Sequence, residues 1–267
     1  MALHFLVGDG ASIARAVGGL DAEAEFALRA AVTDAAVGDL VVITGTEAHH
    51  AAVVRRVRVG EEVTVGDGRG VWLTGDVAEV APKRVAVRVV GRREVPEPSP
   101  RLVLVQALAK GDRDELAIQA ATELGVDEIV PWQAARSVSR WSAEKAAKGV
   151  ARWQTIVREA AKQAHRAWVP TVGLPVTTKD LVVRSGAARV LLLEPTASVA
   201  LSTWPTDAGD ARDLVLVVGP EGGIAPEELD ALAAAGAEPV RLGETVLRTS
   251  TAGPAALALL NARLGRW

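Results

Sequence analysis

Two glycine-bearing stretches near the C-terminus hold the residues whose types and spacing could do chemistry. Leu214–Gly223 reads LVLVVGPEGG, and Val240–Ala252 reads VRLGETVLRTSTA. In the first, an apolar run stops at Gly219-Pro220 and a helical pattern resumes at Pro226-Glu227-Glu228. In the second, a short run stops at Gly243, and Arg248-Thr249-Ser250-Thr251 leads into the Ala/Leu-rich stretch Gly253–Arg263. Glycines at strand ends let the main chain approach a ligand closely or take up positive φ. Open α/β sheets bind ligands at the carboxyl ends of their strands. The pair predicts one small-molecule site built largely from backbone. GPEGG is not a phosphate loop, because no Gly-Lys-Ser/Thr follows, and it lacks the spacing of a dinucleotide fingerprint.

Within these loops a few side chains stand out. Glu221, between Pro220 and Gly222, either faces a ligand or is an acid favoured by the positive end of the next helix. Glu194 follows a buried run and faces a ligand or solvent. Arg248 precedes a helix, where the dipole disfavours a cation; a charge kept there could hold a phosphate or offset a developing anion. Thr249 and Thr251 are candidate helix caps. No Cys is present, so thiol catalysis, disulfides and Cys-based metal sites are excluded. His49-His50 does not predict a metal site, since adjacent helical residues point different ways.

The elements that must position these groups fall into two patterns. Glu94–Pro100, reading EVPEPSP, predicts an extended linker between residues 1–93 and 101–267. Before it, short runs at Leu3–Val7, Leu40–Thr44, Glu62–Val65, Val71–Val80 and Arg84–Val90, separated by turn signals, predict a small β-barrel. Thr46 is expected to cap a helix carrying Glu47 to Arg58, and Asp21–Ala36 reads as a further helix. After the linker, strands alternate with helices. They are strand Leu102–Ala107, helix Arg113–Leu124, strand Glu128–Pro131 and long helix Ser142–Ala167. Then come strands Val190–Leu193 and Leu214–Val218, helix Pro226–Ala235, strand Pro239–Leu242 and the final helix. That alternation predicts an α/β domain with a parallel sheet.

With 267 residues and 49% hydrophobic content the chain can bury a sizeable core. Its formal charge of −3 leaves nucleic-acid binding to local basic patches. No stretch approaches the ~20 apolar residues of a membrane span. The start, MALHFLVGDG, lacks a signal peptide's basic region, so a soluble cytoplasmic protein is expected.

Both glycine loops resemble those of the knotted SPOUT methyltransferases, and within them the RsmE type. The resemblance extends to Lys110-Gly111-Asp112-Arg113, Glu115–Gln119, Ala121–Gly125, Glu128–Pro131, Arg136-Ser137, Arg152-Trp153, Glu159–Gln163 and Arg166. In the N-terminal third it includes His49-His50, Val54-Arg55-Arg56, Gly60-Glu61 and Asp67–Gly70. It covers nearly the whole chain in the right order.

The resemblance implies a PUA-like barrel (1–93) for RNA binding, a linker (94–100) and a trefoil-knotted catalytic domain (101–267). It implies methylation of uracil N3 in 16S ribosomal RNA of the small subunit, with S-adenosylmethionine as donor, by a homodimer joined through its C-terminal domain. The implied cofactor residues are Leu193, Glu194, Gly219, Glu221, Gly222, Gly223, Leu242, Gly243, Leu247 and Thr249, with Arg248 catalytic and no metal. RNA contact is expected at His49, Arg55, Arg56, Arg58, Arg152 and Arg166. Trp132, Trp141 or Trp153 could stack on an unpaired base. Two departures from the family pattern are Ser250, where an acid is common, and His165, read as a helix-surface imidazole. Alternatives are another SPOUT activity on a ribose or a transfer-RNA guanine, or a non-catalytic ribosome-assembly factor.

Overall fold

The structure, a computed structural model, describes residues 2–7, 12–14, 32–206 and 209–267. The chain forms two compact units, Met1–Glu97 with His165–Val169, and Pro98–Ala164 with Pro170–Trp267.

The first unit carries β1 (Leu3–Leu6), β2 (Ser12–Ala14), β3 (Leu40–Thr44), α1 (Gly45–His49), β4 (Glu62–Gly66), β5 (Val71–Ala81) and β6 (Arg84–Glu94). The strands make one sheet in the order β1-β4-β5-β6-β3-β2, with β1 and β4 parallel and the other pairs antiparallel. Alternate residues point inward, so Phe5, Val41, Ile43, Val63, Leu73 and Val87 form its core. Register shifts at Thr74/Gly75 and Val77/Glu79 bend the long β5–β6 ribbon, since a bulge adds local twist and lets a sheet curl. This curled sheet is the PUA-like part of the chain.

Two expectations change here. The helix does not start at Thr46 or run to Arg58: its N-cap is Thr44, and α1 passes into a π turn over His50–Val54. It stops because Arg56 takes φ 55°, a left-handed value that ends a right-handed helix. Of the helix expected over Asp21–Ala36, residues 21–31 lie outside the described residues, and Val32–Asp34 forms a 3-10 turn.

The return segment His165–Val169 belongs to this unit through main-chain bonds from Gly70 N–H to Ala167 O (3.0 Å) and from Val169 N–H to Gly68 O (2.9 Å). Gly70 is required there, because a Cβ would lie 2.6 Å from the Val95 carbonyl oxygen. His165 is not on a helix surface. Its φ of 54° takes it off the preceding helix, and its ring sits 5.5 Å from His4, which stacks on Trp72 at 4.2 Å.

The second unit contains β7 (Leu102–Ala107), α2 (Arg113–Glu123), β8 (Glu128–Trp132), α3 (Ala143–Gln163), β9 (Thr171–Val172) and α4 (Thr178–Ser185). It continues with β10 (Arg189–Leu193), β11 (Leu214–Val218), α5 (Pro226–Ala234), β12 (Glu238–Val240) and α6 (Thr249–Arg263). Its sheet is parallel throughout, in the order β12-β10-β11-β7-β8-β9. Every residue of β7 and β11 is buried, as continuous apolar runs require when helices cover both faces.

From edge strand β12 the chain returns past β10 so that α6 packs on β11, β7 and α2. Gly253 allows it: a Cβ there would come 2.9 Å from Leu104 Cδ1 and 3.4 Å from Val218 Cγ2. Helix α6 starts at Thr249, four residues before the Gly253 expected from its Ala/Leu pattern. Helix α3 ends at Gln163, short of Ala167, because the chain turns left-handed at His165.

Trp132 and Trp153 are buried, and Trp141 meets the Trp153 ring edge-on at 5.4 Å. These Trp residues serve packing, and neither buried ring offers a face to a base. Among the described residues no helix is long and apolar enough to cross a membrane.

Candidate functional site

A cavity of about 430 Å³ opens at the carboxyl ends of β10, β11 and β12. This is within the usual size range of small-molecule pockets. Three loops wall it, Leu193–Pro195, Val218–Ile224 without Gly222, and Val240–Thr249 without Glu244. The structure thus brings together Leu193, Glu194, Gly219, Glu221, Gly223, Leu242, Gly243, Leu247, Arg248 and Thr249.

Gly222 lies off the wall. Its carbonyl accepts a hydrogen bond from Arg136 Nη1 at 3.0 Å, and the positive φ in GPEGG belongs to Gly223 (72°). Gly219 is constrained by closeness, since a Cβ would lie 2.8 Å from Ile224 Cγ1 and 3.2 Å from Ile224 N. Gly243 faces open space: a Cβ there would meet no protein atom within 4 Å.

Each loop is held from outside. Glu221 Oε1 accepts from the Lys110 N–H at 3.1 Å and from Arg113 Nη1 at 2.9 Å. Burial works to raise the Glu221 carboxyl, but its own and the Lys110 backbone N–H groups, with Arg113, outweigh it and hold the group below its ordinary value. Glu194 Oε1 accepts from Thr196 N–H at 3.2 Å and Oγ1 at 2.8 Å, closing its own turn. Arg241 Nη1 donates to the carbonyls of Ala197 and Ser198, tying the β12 end to the loop after β10. Thr249 Oγ1 donates to the Gly219 carbonyl at 3.0 Å and accepts from Gln106 Nε2 at 2.9 Å. Thr249 therefore joins two walls of the cavity, beyond any role as a cap.

Arg248 is the contrast. It occupies the N-cap position of α6 and is exposed at the cavity rim. Among the described residues no hydrogen bond or ion pair engages its guanidinium, whereas Arg113, Arg136 and Arg241 are each committed to a loop.

Outside the cavity, His49, Arg55, Arg56 and Arg58 are all exposed on the first unit, while the neighbouring His50 is half-buried. Arg166 is half-buried in the return segment. Arg152 is exposed but engaged by Glu115, with Nε to Oε1 at 3.1 Å and Nη2 to Oε2 at 2.8 Å.

The sequence alone assigned no individual role at the site to Arg113, Arg241, Val246 or Gln106. The first three line the cavity, and Gln106 is its buried neighbour through Thr249. The one signal for Gln106 is a lone amide in the apolar run LVLVQA.

Comparison with known proteins places this geometry. Residues 96–261 match the RNA methyltransferase domain family, and residues 43–90 match the RNA methyltransferase PUA domain. The ribosomal RNA small subunit methyltransferase E of Mycobacterium bovis is 44% identical over 236 residues, 86% of this chain and 89% of the relative. Its Bacillus subtilis counterpart is 31% identical over 82% of this chain and 88% of its own. The Neisseria gonorrhoeae ribosomal RNA small subunit methyltransferase E, solved bound to S-adenosyl methionine, superposes with a TM-score of 0.76 at 29% identity, covering 86% and 94% of the two chains. A Legionella pneumophila methyltransferase solved with SAM gives 0.75 at 33% identity, covering 85% and 93%.

Proposed function

The chain belongs to the ribosomal RNA small subunit methyltransferase E family, and on that premise we propose that it methylates uracil N3 in 16S ribosomal RNA using S-adenosylmethionine. The observation that carries the reading is the cavity at the sheet's carboxyl edge, walled by three backbone loops with an uncommitted Arg248 at its rim. The residues present fit the donor. Gly223 and Gly243 keep free the space a Cβ would enter, Val218, Ile224 and Leu242 offer apolar walls, and strand-end main chain supplies hydrogen-bonding groups.

When bound, S-adenosylmethionine supplies an electrophilic methyl carbon. The residues of this chain need only orient and stabilise. The loops after β10, β11 and β12 would hold the donor, with Leu193, Gly219, Gly223, Leu242, Gly243 and Leu247 excluding water around it. Arg248 would stabilise negative charge on a uracil ring losing its N3 proton, or fix the neighbouring phosphate. Glu221 and Thr249 act by fixing loop geometry, Glu221 through Oε1, which accepts from Lys110 and Arg113, and Thr249 through a hydroxyl bonded on both sides.

RNA grip falls to His49, Arg55, Arg56 and Arg58 in the N-terminal part (1–93). Arg152 and Arg166 add to it, Arg152 only by exchanging Glu115 for phosphate. N3 lies on the Watson–Crick edge, so the target must be unpaired or drawn from its stack. The acting form is a homodimer joined through the C-terminal part. The reading entails action in the cytoplasm on the small subunit.

Mass analysis of 16S RNA from cells with and without the protein tests the proposal. Loss of one N3-methyluridine is expected. Loss of a ribose or transfer-RNA methyl group instead, or of no methyl group, would overturn it.

A further inference from the structure

Gln106 is the one polar residue in the core strand β7 and is fully buried, with Val218 of β11 and Pro131 of β8 as its register partners. Its Nε2 donates to the Ala107 carbonyl at 3.2 Å and to Thr249 Oγ1 at 2.9 Å. A carbonyl can only accept, so the Ala107 oxygen sets which end of the amide faces this way. With Gln106 donating to it, the Thr249 hydroxyl keeps its single proton for the Gly219 carbonyl at 3.0 Å. The chain of bonds therefore runs one way, Gln106 to Thr249 to Gly219.

It joins three segments far apart in sequence: the end of β7, the first residue of GPEGG and the first residue of α6, next to Arg248. The arrangement carries a cost. Among the described residues Gln106 Oε1 is buried and accepts from nothing. Buried unpaired acceptors are uncommon, and a Leu in an otherwise apolar strand would avoid this one. A polar group kept against stability points to a function.

We propose that Gln106 is a positioning residue for the methyl-donor site. By orienting the Thr249 hydroxyl it holds the GPEGG loop and the start of α6 at one separation, and so sets the width of the cavity and the origin of Arg248. The inference rests on the cavity binding S-adenosylmethionine.

The test compares Gln106→Leu, Thr249→Val, the double variant and Thr249→Ser in the full chain, by melting temperature and by calorimetric S-adenosylmethionine affinity. Gln106→Leu should melt no lower than the parent, because its buried orphan acceptor is gone, yet bind the donor about tenfold more weakly. A residue with a merely structural role would move both readings together. Thr249→Val should lose at least as much affinity, the double variant should lose no more than Thr249→Val, and Thr249→Ser, which keeps the hydroxyl, should lose clearly less than Thr249→Val. Gln106→Met takes the place of Gln106→Leu if the branched side chain does not pack. Parent-like affinity in the folded Gln106 variant, or losses that simply add in the double variant, would overturn the inference. A parent that binds no S-adenosylmethionine would defeat the functional reading first, a result distinct from either.

Discussion

The three glycines of GPEGG are constrained by different physics, so one substitution repeated at each should give three outcomes. At Gly219 an added Cβ would lie 2.8 Å from Ile224 Cγ1 and 3.2 Å from Ile224 N. The side chain can rotate, but the main-chain nitrogen moves only with the loop. Overpacking of this kind costs about 1–3 kcal/mol, and the displaced groups line the cavity. At Gly223 nothing lies within 4 Å, but φ is 72°, so Ala there costs about 1–2 kcal/mol of backbone strain. At Gly222 φ is ordinary, and the nearest atom to a new Cβ is Arg136 Cβ at 3.5 Å, a normal contact. The expected change is within about 0.5 kcal/mol. Calorimetry of S-adenosylmethionine binding on the three Ala variants, with melting curves to confirm folding, should rank Gly219→Ala worst. A loss there of about tenfold or more corresponds to about 1.4 kcal/mol. Gly223→Ala should be intermediate and Gly222→Ala near the parent. If Gly222→Ala proved the most damaging, or Gly219→Ala bound like the parent, steric closeness would not be what shapes this loop.

Arg248→Ala should slow single-turnover methylation of intact small subunits about a hundredfold with little change in cofactor affinity. That is somewhat less than the roughly 3–4 kcal/mol seen for donors in dry sites, because Arg248 is exposed in the free protein; parent-like turnover would make it structural. Arg248→Lys should recover only part of the rate, since Lys lacks the planar two-point contact. Replacing Arg55, Arg56 and Arg58 together with Ala should leave donor affinity intact while weakening RNA binding and flattening its salt dependence; an unchanged salt slope would put the RNA path elsewhere. Burial works to raise the Glu128 carboxyl, but bidentate bonding from Arg184 and the charge of Arg101 hold it below the ordinary 4.5. Its contribution is present above that value and lost as pH falls through the lowered folded pKa. Glu128→Gln should therefore cost about 1.5–3 kcal/mol near neutral pH, with the gap to the parent closing in acid; a pH-independent gap would refute the pairing.

How much of this was legible in the sequence follows from the range of the forces involved. The parallel sheet could be read because strands buried on both faces must be continuously apolar, as Leu102–Val105 and Leu214–Val218 are. The cavity loops could be read because strand-end glycines mark them locally. Helix ends were less legible. Arg56 and His165 end their helices in the left-handed region; Arg has no preference for it, and the enrichment of His there is too weak to mark one position. The short α4 and the two-residue β9 carry too few residues for periodicity to show.

What the sequence withheld about the site has a common cause. A cavity walled by backbone has few side chains of its own to stiffen it, so rigidity must come from groups borrowed elsewhere. Glu221 is held by Lys110 and Arg113, Gly222 by Arg136, and Gly219 by Gln106 through Thr249. Each borrowed group lies far away along the chain, where spacing carries no signal. The same arrangement separates holding from chemistry. The cations that brace the loops are spent on carbonyls and a carboxylate, and a spent cation has little left to offer a substrate. Arg248, placed at a helix start that disfavours it and engaged by none of the described residues, keeps its charge for whatever enters the cavity mouth. Its cost at the helix N-terminus is understandable only if that charge is used when RNA is bound.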